Sequence, residues 1–198
     1  MITENKDLMT QARENLKGNW GLPIGVSLVC AIIVGGFGLI VPPFGSLAVL
    51  LVAGPLYLGL YDFYLAFSRG HNVRFSQLFD GFSYFVTALL TYLLMVLIIL
   101  LGLLLLIVPG IIWSFAYSQT FFVLADNPTI SPTDALRKSR EMMNGYKWKY
   151  FCLSCRFIGW ALLCILTLGI GFIFLAPYMQ LSFTKFYEDV KANYVEVA

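Results

Sequence analysis

The sequence predicts an all-α polytopic membrane protein with six transmembrane helices, arranged as three hairpins, and amphipathic helices at the cytoplasmic face. Of its 198 residues, 59% are hydrophobic and only 12% are charged, whereas a soluble domain carries about 25% charge. The charged residues are also clustered, which leaves three long stretches without any charge. A soluble globular enzyme does not fit this composition, and a membrane-embedded chain does.

The three charge-free stretches set the number of helices. They are residues 18–61, 81–125 and 157–184, which contain 44, 45 and 28 residues. One membrane crossing needs about 20 apolar residues. The first two stretches therefore have room for two helices each.

Proline and glycine mark the turn inside each stretch, because proline interrupts helical hydrogen bonding and glycine relaxes the backbone. The expected turns are Val41–Gly45, Val108–Gly110 and a softer one at Thr167–Gly171. The predicted helices are 22–41 with 44–66, 83–107 with 110–125, and 150–168 with 171–187. The hairpins thus cover residues 22–66, 83–125 and 150–187 of a single membrane domain, residues 1–198.

The third hairpin leaves two alternatives open. Its first helix has to begin near Lys149 to reach spanning length, and this places Arg156 about 9–10 Å along the helix axis. From there the arginine can extend to the inner headgroups. Alternatively, the hairpin only dips into the membrane.

The distribution of Lys and Arg predicts the orientation. Nearly all of them lie in or beside the segments 1–20, 67–82, 126–149 and the C-terminal tail, and the three intervening turns carry no charge. Because cationic loops stay in the cytoplasm, both termini are expected there. The expected location is the bacterial cytoplasmic membrane.

Two helices are expected on the cytoplasmic surface. Residues 1–20 place Met9, Ala12 and Leu16 on one face, which is typical of an interfacial helix. Residues 131–145 begin with Ser131 as an N-cap and continue with an apolar face opposite charged side chains. This second helix and the residues after it supply a basic patch, expected to meet anionic headgroups or a partner protein: Arg137, Lys138, Arg140, Lys147 and Lys149. Anchoring of the topology is the alternative interpretation of this patch.

Polar residues within the apolar stretches are the remaining candidates for a site. Asp62, Gln119, Arg156 and Gln180 are expected to form a polar pocket on the cytoplasmic side, with Asp62 paired to Arg69 or Arg156. A structural ion pair with hydrogen bonds between helices is the alternative. Small residues on the first helix are expected to allow close helix packing: Gly21, Gly25, Ala31 and Gly35.

No catalytic or metal-binding pattern is present. Cys152 and Cys155 form one C-x-x-C pair, whereas a structural zinc site needs four ligands. His71 has no second histidine or paired acid nearby. We therefore expect no cofactor, no metal and no enzymatic activity.

Several sequence runs carry a family resemblance. They are Ala12-Arg13, Lys17–Trp20, Pro109–Ile112, Leu124–Pro128, Ala135–Gly145, Phe157–Trp160, Leu166–Gly171 and Pro177-Tyr178. Together they resemble an uncharacterised bacterial integral-membrane family, common in Gram-positives and catalogued as domain of unknown function nine-seventy-five. The resemblance implies a polytopic membrane protein and supplies no catalytic residues.

Two functions follow as hypotheses. The first is a non-catalytic membrane protein that associates with lipid or a partner protein, in envelope maintenance or antimicrobial-peptide tolerance. The alternative is a small transporter or channel with a polar pocket on the cytoplasmic side. The expected partners are membrane lipids, above all anionic headgroups of the inner leaflet, with a membrane protein or further copies of the chain as alternatives. No nucleic acid is expected.

Overall fold

The computed structural model describes residues 3–40, 44–167 and 169–197, which are all-helical and contain no strand. The all-α class is therefore confirmed. A single 3₁₀ turn, Gly81–Tyr84, follows α4. The helices are α1 (Asn5–Leu16), α2 (Gly21–Ile40), α3 (Phe44–Ser68), α4 (Gln77–Asp80), α5 (Phe85–Leu105), α6 (Ile107–Ala116), α7 (Thr120–Asp126), α8 (Pro132–Met142), α9 (Lys147–Leu166) and α10 (Gly171–Val197).

Several helical stretches are long and apolar enough to cross a membrane. Within the residues that the structure describes, four qualify on their own, and α1 with α2 forms a fifth if this pair, bent by 105°, counts as one span. The four are Val49–Ser68, Gln77–Leu105, Val108–Asp126 and Lys147–Leu166. The chain is thus a multi-pass membrane protein. The finer prediction of six spans in three hairpins stays a prediction.

Helix α10 is not among these spans, although it contains 27 residues. Its first half, residues 171–184, carries no charge, but the second half contains charged residues of both signs. The charge-free half has 14 residues and is about 21 Å long. The third predicted hairpin therefore has one qualifying span, α9.

The predicted turn at Val108–Gly110 is wrong in position. The chain breaks at Leu106, whose backbone is extended with φ −163° and ψ 143°. Pro109 lies in the first turn of α6 instead of ending a helix. Proline fits there because the first N–H groups of a helix have no partner within the helix.

The other two predicted turns have different outcomes. The break at Thr167–Gly171 is confirmed on both sides, because α9 ends at Leu166, α10 begins at Gly171, and Gly169 has a φ of +87°. In the predicted Val41–Gly45 turn, residues 41–43 lie outside the described residues, and α3 begins at Phe44.

The predicted helix 110–125 is interrupted. Residues 117–119 separate α6 from α7. The hydroxyl of Ser118 donates to the carbonyl of Phe115 at 2.8 Å, and that of Thr120 donates to the carbonyl of Tyr117 at 2.7 Å. Such bonds compete with the helical pattern and favour a break.

Large exposed apolar side chains are concentrated in three parts of the described chain. They occur in residues 75–90, 97–112 and 158–174, and the most exposed are Leu104 at 84% and Leu166 at 80%. Contiguous apolar surface of this kind is rare on soluble proteins. It suits helices that are surrounded by lipid.

Close helix packing occurs at glycines other than the expected ones. A Cβ added at Gly59 of α3 would lie 2.6 Å from the carbonyl carbon of Leu78. In contrast, no described atom lies within 4 Å of the same position at Gly21 or Gly35. The prediction of close packing is therefore wrong at these two glycines of α2, and the tight crossing joins α3 to the segment around α4.

Helix α1 packs along α10. Leu8, Ala12 and Leu16 are fully buried, whereas Met9 of the predicted face is only half-buried. The chain then turns by 105° into α2. The apolar face of α1 is thus covered by protein, and its predicted position at the membrane interface stays a prediction.

Candidate functional site

The four residues of the predicted polar pocket do not line one cavity of the described structure. Asp62 is half-buried, and the charged groups that act on it are Arg69, Asp80 and Asp126. No carboxylate–cation contact of Asp62 is present among the described residues. The expected pairing with Arg69 or Arg156 is therefore not observed.

The two glutamines are buried polar groups with incomplete hydrogen bonding. Gln119 is fully buried, and its Nε2 donates to the Ser118 hydroxyl at 2.9 Å. Its Oε1 has no partner in the described part of the chain, and neither has Nε2 of Gln180. Gln180 lines a cavity of about 270 Å³ between α2, α3 and α10, where its neighbours include Ser27 and Tyr57.

Arg156 lies elsewhere, on the outer surface of α9. It is exposed and lines a shallow depression of about 530 Å³ with Trp160 and Leu163. These neighbours are apolar, as expected for a surface that faces lipid. The sequence placed Arg156 within this helix but could not define the face on which it lies.

An ionic network that the sequence did not reveal joins the ends of α3 and α7 to α10. Asp126, the last residue of α7, accepts from Arg69 Nη2 at 2.7 Å and from Lys191 Nζ at 2.6 Å. The hydroxyl of Tyr187 donates to the same carboxylate at 2.6 Å. Glu188 accepts from Arg69 Nε at 3.3 Å. One carboxylate therefore ties three helices together.

The network also perturbs the guanidinium that it contains. Partial burial by itself would lower the pKa of Arg69, but hydrogen bonds and charge from Asp126 and Glu188 outweigh the burial and raise it. Arg69 consequently keeps its charge at every relevant pH. The sequence marked Arg69 as a possible partner of Asp62 and did not indicate Asp126 or Glu188.

A second network fastens the beginning of the chain to α9 and α10. Asp189 accepts from Lys149 Nζ at 2.8 Å and from the Thr3 hydroxyl at 2.8 Å. Asn5 Nδ2 donates to the carbonyl of Lys149 at 2.9 Å. Lys149 was predicted to face lipid or a partner. In the structure, its side chain instead pairs with Asp189 between the helices.

Helix α8 begins as predicted, with the hydroxyl of Ser131 accepting from the N–H of Asp134 at 3.1 Å. Its apolar side is buried against α5, α7 and neighbouring helices. On this side, the hydroxyl of Ser139 donates to the carbonyl of Ala116 at 2.9 Å. The apolar face of α8 is therefore occupied by protein and is not available to lipid.

The cations of this region lie at the exposed surface of the bundle. Arg140 is exposed, Lys138 and Lys147 are half-exposed, and none of the three has a carboxylate partner among residues 3–40, 44–167 and 169–197. We call these three residues the basic surface. Arg137 is also exposed but pairs with Asp134 at 2.9 Å. The basic surface thus consists of three cations that have no carboxylate partner in the described part of the chain.

A polar cleft of about 790 Å³ lies between the α1–α2 junction and the loop after α3. Asn15, Asn19, His71 and Asn72 line it together with Arg69. His71, which the sequence placed in a polar loop, is exposed there. The cleft contains hydrogen-bonding groups, but its arginine is already held by two carboxylates.

The described residues provide no metal site and no disulfide. No group of three or more His, Cys, Asp or Glu side chains could hold a metal ion within that part of the chain. The four cysteines, Cys30, Cys152, Cys155 and Cys164, are free thiols.

Comparison with known proteins gives one match. Neither the curated proteins nor the solved structures contain a match to this sequence. A family described as "Protein of unknown function (DUF975)" matches residues 1–113 and 96–194, which together cover nearly the whole chain. The family resemblance of the sequence is therefore confirmed, and the chain belongs to this family.

Proposed function

We propose that this protein is a non-catalytic integral membrane protein of the bacterial cytoplasmic membrane that associates with anionic lipid headgroups of the inner leaflet. The basic surface is the observation that carries the proposal. Because α8 buries its apolar face in the bundle, it presents cations to headgroups without inserting into the bilayer. Each such cation contributes about 1 kcal/mol near an anionic membrane. We propose that this association serves envelope maintenance or antimicrobial-peptide tolerance.

Neutralising the basic surface tests this proposal. The triple variant Lys138→Gln, Arg140→Gln, Lys147→Gln is expected to lower the affinity for short-chain phosphatidylglycerol about tenfold to hundredfold at low salt, since three cations are removed. The wild-type preference for this lipid over phosphatidylcholine should also weaken at high salt, because exposed charges are screened. Binding to the detergent-purified full-length protein is the measurement.

Arg137→Gln is the matched control. It removes a cation from α8, the helix that also carries Lys138 and Arg140, but that cation is already paired with Asp134 and 71% exposed. Its effect on the affinity should therefore stay within about twofold to threefold. A triple variant that binds phosphatidylglycerol as well as the wild type does would contradict the proposal.

The proposed orientation places both termini and the basic surface in the cytoplasm, following the positive-inside rule. Single cysteines at Arg140 and Ile170, in a chain without native cysteines, test it in intact cells. Ile170 is 63% exposed beside the α9–α10 turn. We expect an impermeant thiol reagent to label the cysteine at Ile170 from outside and the cysteine at Arg140 only after lysis. The reverse pattern would refute the orientation.

Transport is the second candidate, and the cavity beside Gln180 is the observation that favours it. The walls of this cavity are mostly apolar, with Ser27, Tyr57 and Gln180 as the main polar contributions. Lipid association fits such a scarcity of polar lining better. Solute flux into proteoliposomes that Gln180→Leu abolishes would favour transport instead.

A further inference from the structure

A second feature related to lipid lies between the α1–α2 junction and the α9–α10 pair, and it uses none of the basic-surface residues. A groove of about 470 Å³ is lined on one side by Arg13 and Trp20, at the α1–α2 junction. Residues of α9 and α10 form the other side: Trp160, Leu163, Cys164, Thr167, Gly171, Phe174, Leu175 and Tyr178. The volume lies within the range of about 300–1,000 Å³ that small-molecule sites occupy. We call this feature the lateral groove.

The lateral groove opens sideways and is lined mainly by apolar and aromatic groups. Trp160 is 52% exposed, and Leu163 and Phe174 are each 54% exposed, so this wall faces the surroundings of the bundle. The rings of Trp20 and Phe174 meet edge to face, with centroids 6.2 Å apart. These side chains offer a rigid surface on which a hydrocarbon chain can lie.

One charge lies in this apolar setting. Arg13 is exposed and has no carboxylate partner in the described residues. Because α1 runs antiparallel along α10, from Thr3 at Asp189 to Trp20 at Phe174, its Arg13 lies at the level of Tyr178, which lines the same groove. Tyr178 lies seven residues, or about 10 Å, from Gly171 at the α9–α10 turn. The cation therefore lies near one end of the groove, and the uncharged turn lies at the other.

We propose that the lateral groove binds one anionic phospholipid, with its phosphate at Arg13 and an acyl chain directed towards the α9–α10 turn. The unpaired guanidinium supplies charge complementarity and hydrogen-bond donors for the phosphate, and the apolar wall supplies the contact area for the chain. Basic pockets between membrane helices recognise lipid headgroups in this way. The site uses none of the basic-surface residues and does not depend on their role.

Native mass spectrometry of the full-length protein in detergent tests this site, with phosphatidylglycerol and phosphatidylcholine as probes. We expect one phosphatidylglycerol per chain to be retained at high salt, because the apolar contact is not screened. Arg13→Gln should lower this retention about fivefold to tenfold and leave the weak binding of phosphatidylcholine unchanged. Leu163→Trp should lower the retention of both lipids by filling the groove.

Two controls separate this site from other effects. Ile165→Trp adds the same ring on α9 at a position that is 61% exposed and outside the groove lining, and it should retain lipid like the wild type. The triple basic-surface variant should also retain the lipid, even if its salt-sensitive binding is lost. Equal retention of both lipids, retention unaffected by Arg13→Gln, or a dimer that excludes lipid would each overturn the proposal.

Discussion

Replacing Asp126 with asparagine is expected to lower the free energy of unfolding by about 2–3 kcal/mol. The carboxylate is 12% exposed and accepts from Arg69, Lys191 and Tyr187. Asparagine keeps the shape but leaves Lys191 without a counter-charge and Arg69 with Glu188 alone, and breaking a buried pair costs about 3–5 kcal/mol. The cations are 36% and 37% exposed, so water compensates part of this loss. Thermal and denaturant unfolding of the purified protein in detergent would measure the change.

Glu14→Gln is the matched control for this prediction. Glu14 is an exposed carboxylate on α1 without an ion pair in the part of the chain that the structure describes, so its loss should change stability by less than about 0.5 kcal/mol. The double variant Asp126→Asn, Lys191→Gln should lose less free energy of unfolding than the sum of the two single losses, since both substitutions remove the same contact. Equal stability of Asp126→Asn and Glu14→Gln would refute the role assigned to the network.

Replacing Gly59 with alanine is expected to destabilise the protein by about 3 kcal/mol or more. The added methyl group would lie 2.6 Å from the carbonyl carbon of Leu78 and 2.9 Å from the carbonyl oxygen of Gln77. These are backbone atoms and cannot rotate away, so α3 and α4 must separate. Overpacking against movable side chains already costs about 1–3 kcal/mol. The yield of folded monomer and its thermal midpoint in detergent would report the loss.

Gly159→Ala provides the comparison. Gly159 also lies inside a helix, α9, but no atom of the described residues lies within 4 Å of a Cβ added there. Alanine there should be neutral or should stabilise the helix by about 1 kcal/mol, because it has the higher helix propensity. If Gly59→Ala and Gly159→Ala had the same thermal midpoint, the close crossing at Gly59 would not be a determinant of the fold.

The helical class and the existence of several spans could be predicted because both depend on local composition. Charge-free stretches define where lipid can replace water, and the N-cap at Ser131 depends only on residues within the first turn of α8. The turn before Pro109 was misplaced because proline is compatible both with a turn and with the first turn of a helix. Local chemistry alone does not separate these two cases.

The contacts of the candidate site could not be predicted, because the choice of partner is a tertiary property. Arg69 had Asp62 as its nearest acidic residue in the sequence, but its carboxylates come from Asp126 and Glu188, 57 and 119 residues further on. Lys149 was predicted to lie on the surface, and its partner Asp189 is 40 residues away. No periodicity within one helix encodes such pairings.

The Asp189 network has a consequence for biosynthesis. Thr3 and its carboxylate partner are separated by 186 residues, so α1 cannot dock on α10 until almost the whole chain has left the ribosome. At about 5–20 residues per second, the delay is roughly 10–40 s. During this interval the face of α1 that carries Leu8, Ala12 and Leu16, all buried in the finished protein, lacks the part of its cover that α10 supplies. Assembly is thus completed from the C-terminus, and a nascent chain that stops before Asp189 leaves its first helix undocked.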